Sequence, residues 1–380
     1  MKRREFLGAT ALVGLGGCAP KARTAEAVPR LAPVRAQTDR IFRITVCSRP
    51  FRAAGPRLDV ERVGDKTVIH NYGHGGSGWS LSWGSSAVAV EKAMALGERD
   101  VAVIGCGALG LTSAILLQRA GARVTIYAKD RPPDVRSSRA TGAWTPDSRI
   151  ALTNSVSADF PALWERMARR SFQMYQSYFG LAGNPVEWAD RYTLSDGDPA
   201  EAQANRQRAD TLGFAHYQDR IADMMPHSRD LPQGTHPFPT RHVRQGLNLI
   251  FNIAAYSKQL MMEFFAEGGK LEKVEFHSPS ELIQLREKVA INATGYGARA
   301  LWKDESIVPV RGQIAWLIPQ PEVNYGILYR NVNILGRRDG IVVQGGIDDM
   351  DGYNDPDEQP DRKEAESVVR VAAELFERMR

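Results

Sequence analysis

Gly105, Gly107 and Gly110 stand at the spacing that lets a backbone close around a pyrophosphate. The first glycine permits a tight turn and the second lets the main chain approach the anion. The third brings a helix close to the strand before it. N–H groups at the helix start, on Ala108 and Leu109, are then free to hold negative charge. The continuous apolar run Val101 to Ile104 supplies a buried strand ahead of the loop, and Leu109 to Ala120 has helical periodicity after it. An acidic side chain is expected just past the next strand, Arg123 to Tyr127, to bind ribose hydroxyls, and Asp130 occupies that place. The pattern is a β-α-β dinucleotide site, and the loop alone does not separate FAD from NAD.

A second glycine-rich string runs from Val68 to Gly78: Val-Ile-His-Asn-Tyr-Gly-His-Gly-Gly-Ser-Gly. Glycines at 73, 75, 76 and 78 let backbone N–H groups reach a planar ring without side-chain interference. His70 and His74 lie in this string. The chain has seven scattered histidines and no ligand spacing, so both are read as structural hydrogen-bonding groups and no metal site is expected.

This string closely resembles the signature segment of the D-amino acid oxidases. Thr141-Gly142-Ala143-Trp144-Thr145-Pro146, Asn292-Ala293-Thr294-Gly295, Arg311-Gly312-Gln313 and Val343-Gln344-Gly345-Gly346 resemble further segments of the same family. Together they extend the likeness from about Ile41 to the last helix. The resemblance implies FAD as cofactor. It assigns Gly75, Gly76, Ser77, Gly78, Trp79, Ser80, Trp144, Thr145, Thr294 and Gly295 to the flavin, beside the loop at Gly105 to Gly110 and Asp130. The helix after Gly78 would point its positive end at the flavin. Cys47-Ser48-Arg49-Pro50-Phe51-Arg52 resembles the segment whose first arginine pairs with the substrate carboxylate, so Arg49 is the catalytic anchor, with Gly76 beside it. The family's two tyrosines over the substrate have no counterpart in register. Counting back from Gly345-Gly346 puts Val332 at the inner position, with Tyr325 and Tyr329 displaced nearby as the candidates. Arg330, Arg337 and Arg338 nearby are read as exposed loop charge in preference to anchors for an acidic substrate.

The implied reaction takes a hydride from Cα of a D-amino acid or related amine to flavin N5. Hydrolysis then gives a 2-oxo acid and ammonia, with dioxygen reduced to peroxide. Two alternatives stand beside it: a dehydrogenase of the same fold using a quinone or carrier, and a flavin-binding or structural protein without turnover. The family's chain order is also permuted here, because its last segment, residues 68–78, precedes its first, residues 101–110. Gly97-Glu98-Arg99-Asp100 would bridge the old ends.

These residues must be positioned by an α/β fold, a Rossmann-like FAD-binding domain with a mixed-sheet substrate domain. The expected division is 58–150 with 241–303 for the first, and 39–57, 151–240 and 304–380 for the second. The apolar and aromatic stripe from Phe160 to Tyr178 reads as core. Of the formal charge of +5, the residues Lys2, Arg3, Arg4 and Glu5 contribute +2. The remainder is too mild for a nucleic-acid partner. Arg3-Arg4 followed by Phe6-Leu7 and a short apolar stretch resembles a twin-arginine signal over 1–18, and Leu15-Gly16-Gly17-Cys18 resembles a lipoprotein cleavage box. Export to the periplasmic side with a lipid on Cys18 is expected, followed by a tether over 19–38. Cys47 and Cys106 remain, and both read as structural.

Overall fold

Two sheets, each built from strands distant in sequence, carry the chain. The computed structural model describes residues 30–379. The expected signal, Cys18 and residues 19–29 of the expected tether lie outside the described residues. In chain order the elements are β1 (Ile41–Arg52), β2 (Val60–Val63), β3 (Lys66–His70), α1 (Gly78–Met94), β4 (Asp100–Ile104), α2 (Ala108–Arg119) and β5 (Arg123–Ala128). Then come α3 (Phe160–Tyr175), β6 (Val186–Ser195), α4 (Pro199–Ala209), β7 (Arg229–Asp230), β8 (His242–Phe251), α5 (Ile253–Ala266) and β9 (Lys270–Lys273). The rest is β10 (Val289–Asn292), α6 (Ala298–Leu301), β11 (Ile307–Leu317), β12 (Tyr325–Tyr329), β13 (Val332–Arg337), β14 (Gly340–Gln344) and α7 (Arg362–Glu377).

The smaller sheet has the order β2-β3-β10-β4-β5-β9. All its pairs are parallel except β2 with β3. Its central strands need covering on both faces, which is why Val101 to Ile104 and Val289 to Ile291 are apolar without alternation. Helices α1, α2, α3 and α5 provide that cover on one side, in a core that includes Trp83, Leu111, Trp164, Met167 and Phe264. Burying each such side chain contributes roughly 1.5–3 kcal/mol. The stripe expected to be core in α3 does bury Phe160, Trp164, Met167 and Tyr175.

The larger sheet has the order β1-β11-β14-β13-β12-β6-β8-β7 and is antiparallel apart from β12 with β6. One face packs on α7 through Ile327, Tyr329, Ile334, Val343, Val369 and Leu375. The other face is turned toward the smaller domain. Domain boundaries differ from the expected ones at two places. Strand β8 belongs to the larger sheet, because it pairs with β6 along its whole length, so 242–251 leave the nucleotide domain. Helix α3 joins the nucleotide-side core because its apolar stripe packs on α1. Strand β1 runs to Arg52, since pairing with β11 continues to Ile307.

Candidate functional site

A cavity of about 1320 Å³ runs from the loop after β4, between the two sheets, to the inner face of the larger one. At its nucleotide end, Gly105 adopts φ +106, which favours glycine, and a side chain there would strike the Ala293 carbonyl at 2.6 Å. A Cβ on Gly110 would lie 2.0 Å from the Gly105 carbonyl oxygen, so this glycine seats α2 against the strand and does not line the cavity. Helix α2 starts after Gly107 with no side-chain cap. Gly107, Ala108 and Leu109 line the cavity at this helix start, where the Ala108 N–H donates to Ser137 Oγ at 3.2 Å. Asp130 lines the same end just beyond β5, and Thr294 and Gly295 close it from the turn after β10.

The middle of the cavity is walled by the start of α1 and the segment 141–146. Gly75, Gly76, Gly78, Trp79, Ser80, Trp144 and Thr145 all line it. Gly75 has φ +55, and a Cβ there would sit 1.8 Å from the Arg149 carbonyl oxygen. The α1 start also lacks a side-chain cap, leaving its positive end toward the cavity. The wall is held by specific bonds: Thr145 N–H donates to Ser80 Oγ at 2.8 Å, and Trp79 Nε1–H donates to the Ser137 carbonyl at 2.8 Å. Ser77 is turned away and bonds the Ser148 carbonyl at 3.0 Å. Trp144 Nε1, by contrast, is a buried donor with no partner in the protein. An orphaned donor, two helix starts facing inward and a glycine-lined wall in one elongated cavity suit a dinucleotide with a planar polar ring.

His70 is absorbed by the fold, whereas His74 also lines the cavity, and its Nδ1 has no partner among the described residues. His70 contacts Glu61 Oε2 at 3.0 Å and Asn292 Nδ2 at 3.1 Å. His74 Nε2 contacts Ser85 Oγ at 2.7 Å, and burial pulls its pKa down to about 3.

At the far end Arg49 extends over the adjacent strand. Its Nη1 donates to the Arg311 carbonyl at 3.0 Å, and no carboxylate pairs with it. Burial is the main influence, lowering its pKa from the ordinary arginine value. The segment Arg311-Gly312-Gln313 lies within β11, and strand alternation divides its duties. Arg311 pairs with Glu364 at 2.8 Å, and Gln313 exchanges hydrogen bonds with the Asp361 backbone at the start of α7. Gly312 faces the cavity and leaves room for the Arg49 guanidinium.

Tyr325 and Tyr329 are not brought to this cavity. Alternation along β12 turns both toward α7, where Tyr325 Oη donates to the Ala32 carbonyl at 2.6 Å and Tyr329 Oη to Asp196 Oδ2 at 2.9 Å. Val332 joins the same core. The cavity face of these strands presents Leu328, Asn333 and Gln344 instead. Arg337, expected as exposed loop charge, is fully buried and paired with Asp339 at 2.6 Å. Sequence reasoning also missed Arg149, Arg191 and Thr193 on the cavity wall. The β6 alternation around Arg191 was the available signal, obscured because the adjacent apolar pair Trp188 and Ala189 interrupts it.

Residues 100–380 match the sequence profile of the family described as FAD dependent oxidoreductase. A D-amino-acid oxidase of Rubrobacter xylanophilus is 26% identical over 286 residues, covering 73% of this chain and 77% of that one. A D-amino-acid oxidase of Streptomyces coelicolor is 26% identical over 285 residues, with 73% and 78% covered. The crystal structure of glycine oxidase from Bacillus cereus shares the fold, with a TM-score of 0.51 at 14% identity over 73% of this chain and 78% of that one.

Proposed function

Because this chain belongs to the family of FAD-dependent oxidoreductases, we propose that it oxidises a D-amino acid, or a related amine, whose carboxylate is held by Arg49. The observation that carries this reading is the Arg49 guanidinium, enclosed in the cavity without a carboxylate partner and aimed into the same space as Gly76. A planar guanidinium pairs with a carboxylate through two parallel hydrogen bonds, which sets orientation as well as position. FAD, when bound, supplies the two-electron acceptor. The residues that would hold it are Gly105, Gly107, Ala108, Leu109 and Asp130 at the nucleotide end. Gly75, Gly76, Gly78, Trp79, Ser80, Trp144, Thr145, Thr294 and Gly295 would complete the site. The Trp144 indole N–H and the uncapped start of α1 offer donors to a polar ring edge. His74 is neutral near pH 7 and is no general acid there. The protein's share of catalysis is therefore positioning and exclusion of water. We take dioxygen as the electron acceptor. The test is the visible spectrum of the purified protein, with anaerobic addition of D-amino acids followed by air. Bleaching and then peroxide release support the reading, whereas flavin bands that persist with every amino acid and amine overturn it.

The chain order is read as a permutation of the family's order. In support, β3 pairs with β10, which pairs with β4. The segment before residue 100 thus contributes the strands β2 and β3 and the helix α1 to the nucleotide domain. Only Ala95 to Arg99 separate α1 from β4. Export with lipid on Cys18 remains our reading of the first eighteen residues. Fatty-acid labelling lost in Cys18→Ala tests it.

A further inference from the structure

The cavity holds a second enclosed guanidinium. Arg191 reaches across from β6 to β13, where its Nη1 donates to Asn333 Oδ1 at 2.5 Å. No carboxylate among the described residues pairs with it, and burial alone brings its pKa down to about 10. Its neighbours Arg330, Arg337 and Arg338 show what a structural arginine looks like in this sheet. Each pairs with an acid, Asp196, Asp339 and Glu187 respectively. Arg191 lacks such a partner, and room is made for it by Gly326, whose added Cβ would stand 3.3 Å from Nη1. An enclosed cation without a counter-charge is costly unless an anion completes it.

The strand register sets the distance between the two arginines. The Arg49 guanidinium lies over Gly312 of β11, and that of Arg191 lies at Asn333 of β13. Strand β14 runs between them, and Asn333 pairs with Gln344, while Ala315 pairs with Val343. Asn333 is thus level with Ile314, two residues along from Gly312. Two strand spacings of about 5 Å and two residues of about 3.4 Å put the guanidiniums on the order of 12 Å apart. A paired carboxylate carbon lies about 4 Å from its guanidinium carbon. Two bound carboxylates would thus be separated by a short spacer of two or three carbons.

Resting on the reading that Arg49 takes the substrate's α-carboxylate, we infer that Arg191 takes a second carboxylate, so that the substrate is an acidic amino acid of the aspartate or glutamate type. Asn333 is the positioning residue, holding the Arg191 guanidinium flat on the cavity face. Neutral side chains of the same size leave Arg191 without its anion and bind less well.

The test uses the full holoprotein and two readouts. In the first, calorimetric titration compares succinate and glutarate with butanoate and pentanoate. Binding of the dicarboxylates about tenfold or more tighter is expected, with that ratio falling near one in Arg191→Gln. In the second, kcat/KM for D-aspartate and D-glutamate is compared with that for D-asparagine and D-glutamine. The acidic substrates should lead in the wild type and lose their lead in Arg191→Gln, with the amides little changed. Equal binding of mono- and dicarboxylates by the wild type overturns the inference, as does a dicarboxylate preference that survives in the variant. The wild-type comparison stands even if the variant does not fold. A dicarboxylate preference without flavin reduction by any amino acid keeps Arg191 as the second anchor but removes the proposed oxidation. Flavin reduction by neutral D-amino acids alone does the reverse.

Discussion

Replacing Gly312 by alanine probes Arg49 without touching it. An added Cβ would stand 2.3 Å from Arg49 Nη2 and 2.6 Å from both Cζ and Nη1. Ordinary contact lies near about 3.5 Å, so the guanidinium must retreat by roughly 1 Å. It can do so because it is the free end of a flexible side chain, whereas the β11 backbone is held here by pairing with Cys47 of β1 and by the Arg311 N–H bond to the Gly352 carbonyl. Gly312 is in the interior of a strand, where alanine is no worse than glycine, so folding stability should change by less than about 1 kcal/mol. The retreat breaks the 3.0 Å bond to the Arg311 carbonyl and shifts whatever carboxylate the guanidinium holds. A misplacement of about 1 Å at a positioning contact can cost on the order of 100-fold. The assay is steady-state kinetics beside thermal melting and flavin content. We expect kcat to fall more than KM rises, since the carboxylate follows the guanidinium but its Cα no longer meets the cofactor in register. A kcat/KM within about threefold of wild type would refute the assignment of Arg49. A collapse in melting temperature would show that Gly312 serves the fold and not the site.

Arg49→Met removes an enclosed charge that has no acid partner, so the variant should melt no lower than wild type while kcat/KM falls by about 1000-fold or more. Gly110→Ala drives a Cβ into the Gly105 carbonyl, and should cost about 1–3 kcal/mol in denaturant unfolding together with most of the bound flavin. Tyr325→Phe and Tyr329→Phe should leave kcat/KM within about twofold, because both hydroxyls act on the α7 side of the sheet. His74 has a folded pKa of about 3 against about 6.5 in the unfolded chain. The unfolded state therefore binds more protons in that window. The stability His74 contributes is complete above about pH 6.5 and is lost as pH falls toward 3. Unfolding free energies at pH 7 and pH 5 should differ more in the wild type than in His74→Gln, and equal slopes would contradict this.

What the sequence determined by itself is local. Glycine at 105, 107 and 110 after four apolar residues demands a turn, an anion-accepting helix start and a buried parallel strand, because each requirement concerns neighbours in the chain. The same holds for the glycine-rich run before α1 and for the apolar stripe of α3. The family resemblance carried this further, to Arg49 and to FAD. What only the tertiary structure decided is which face of each strand meets the cavity and what sits opposite it. Tyr325 and Tyr329 looked suitable by type and position, but the pairing of β12 with β13 and β6 turns them toward α7. Arg337 and Arg191 are both arginines on strands of one sheet. One is neutralised by Asp339 two residues away, whereas the other meets only an amide presented by a strand more than a hundred residues later. A side chain's period within its strand is written locally, but its counter-charge is set by strand order, and strand order comes from packing contacts between residues far apart in the chain.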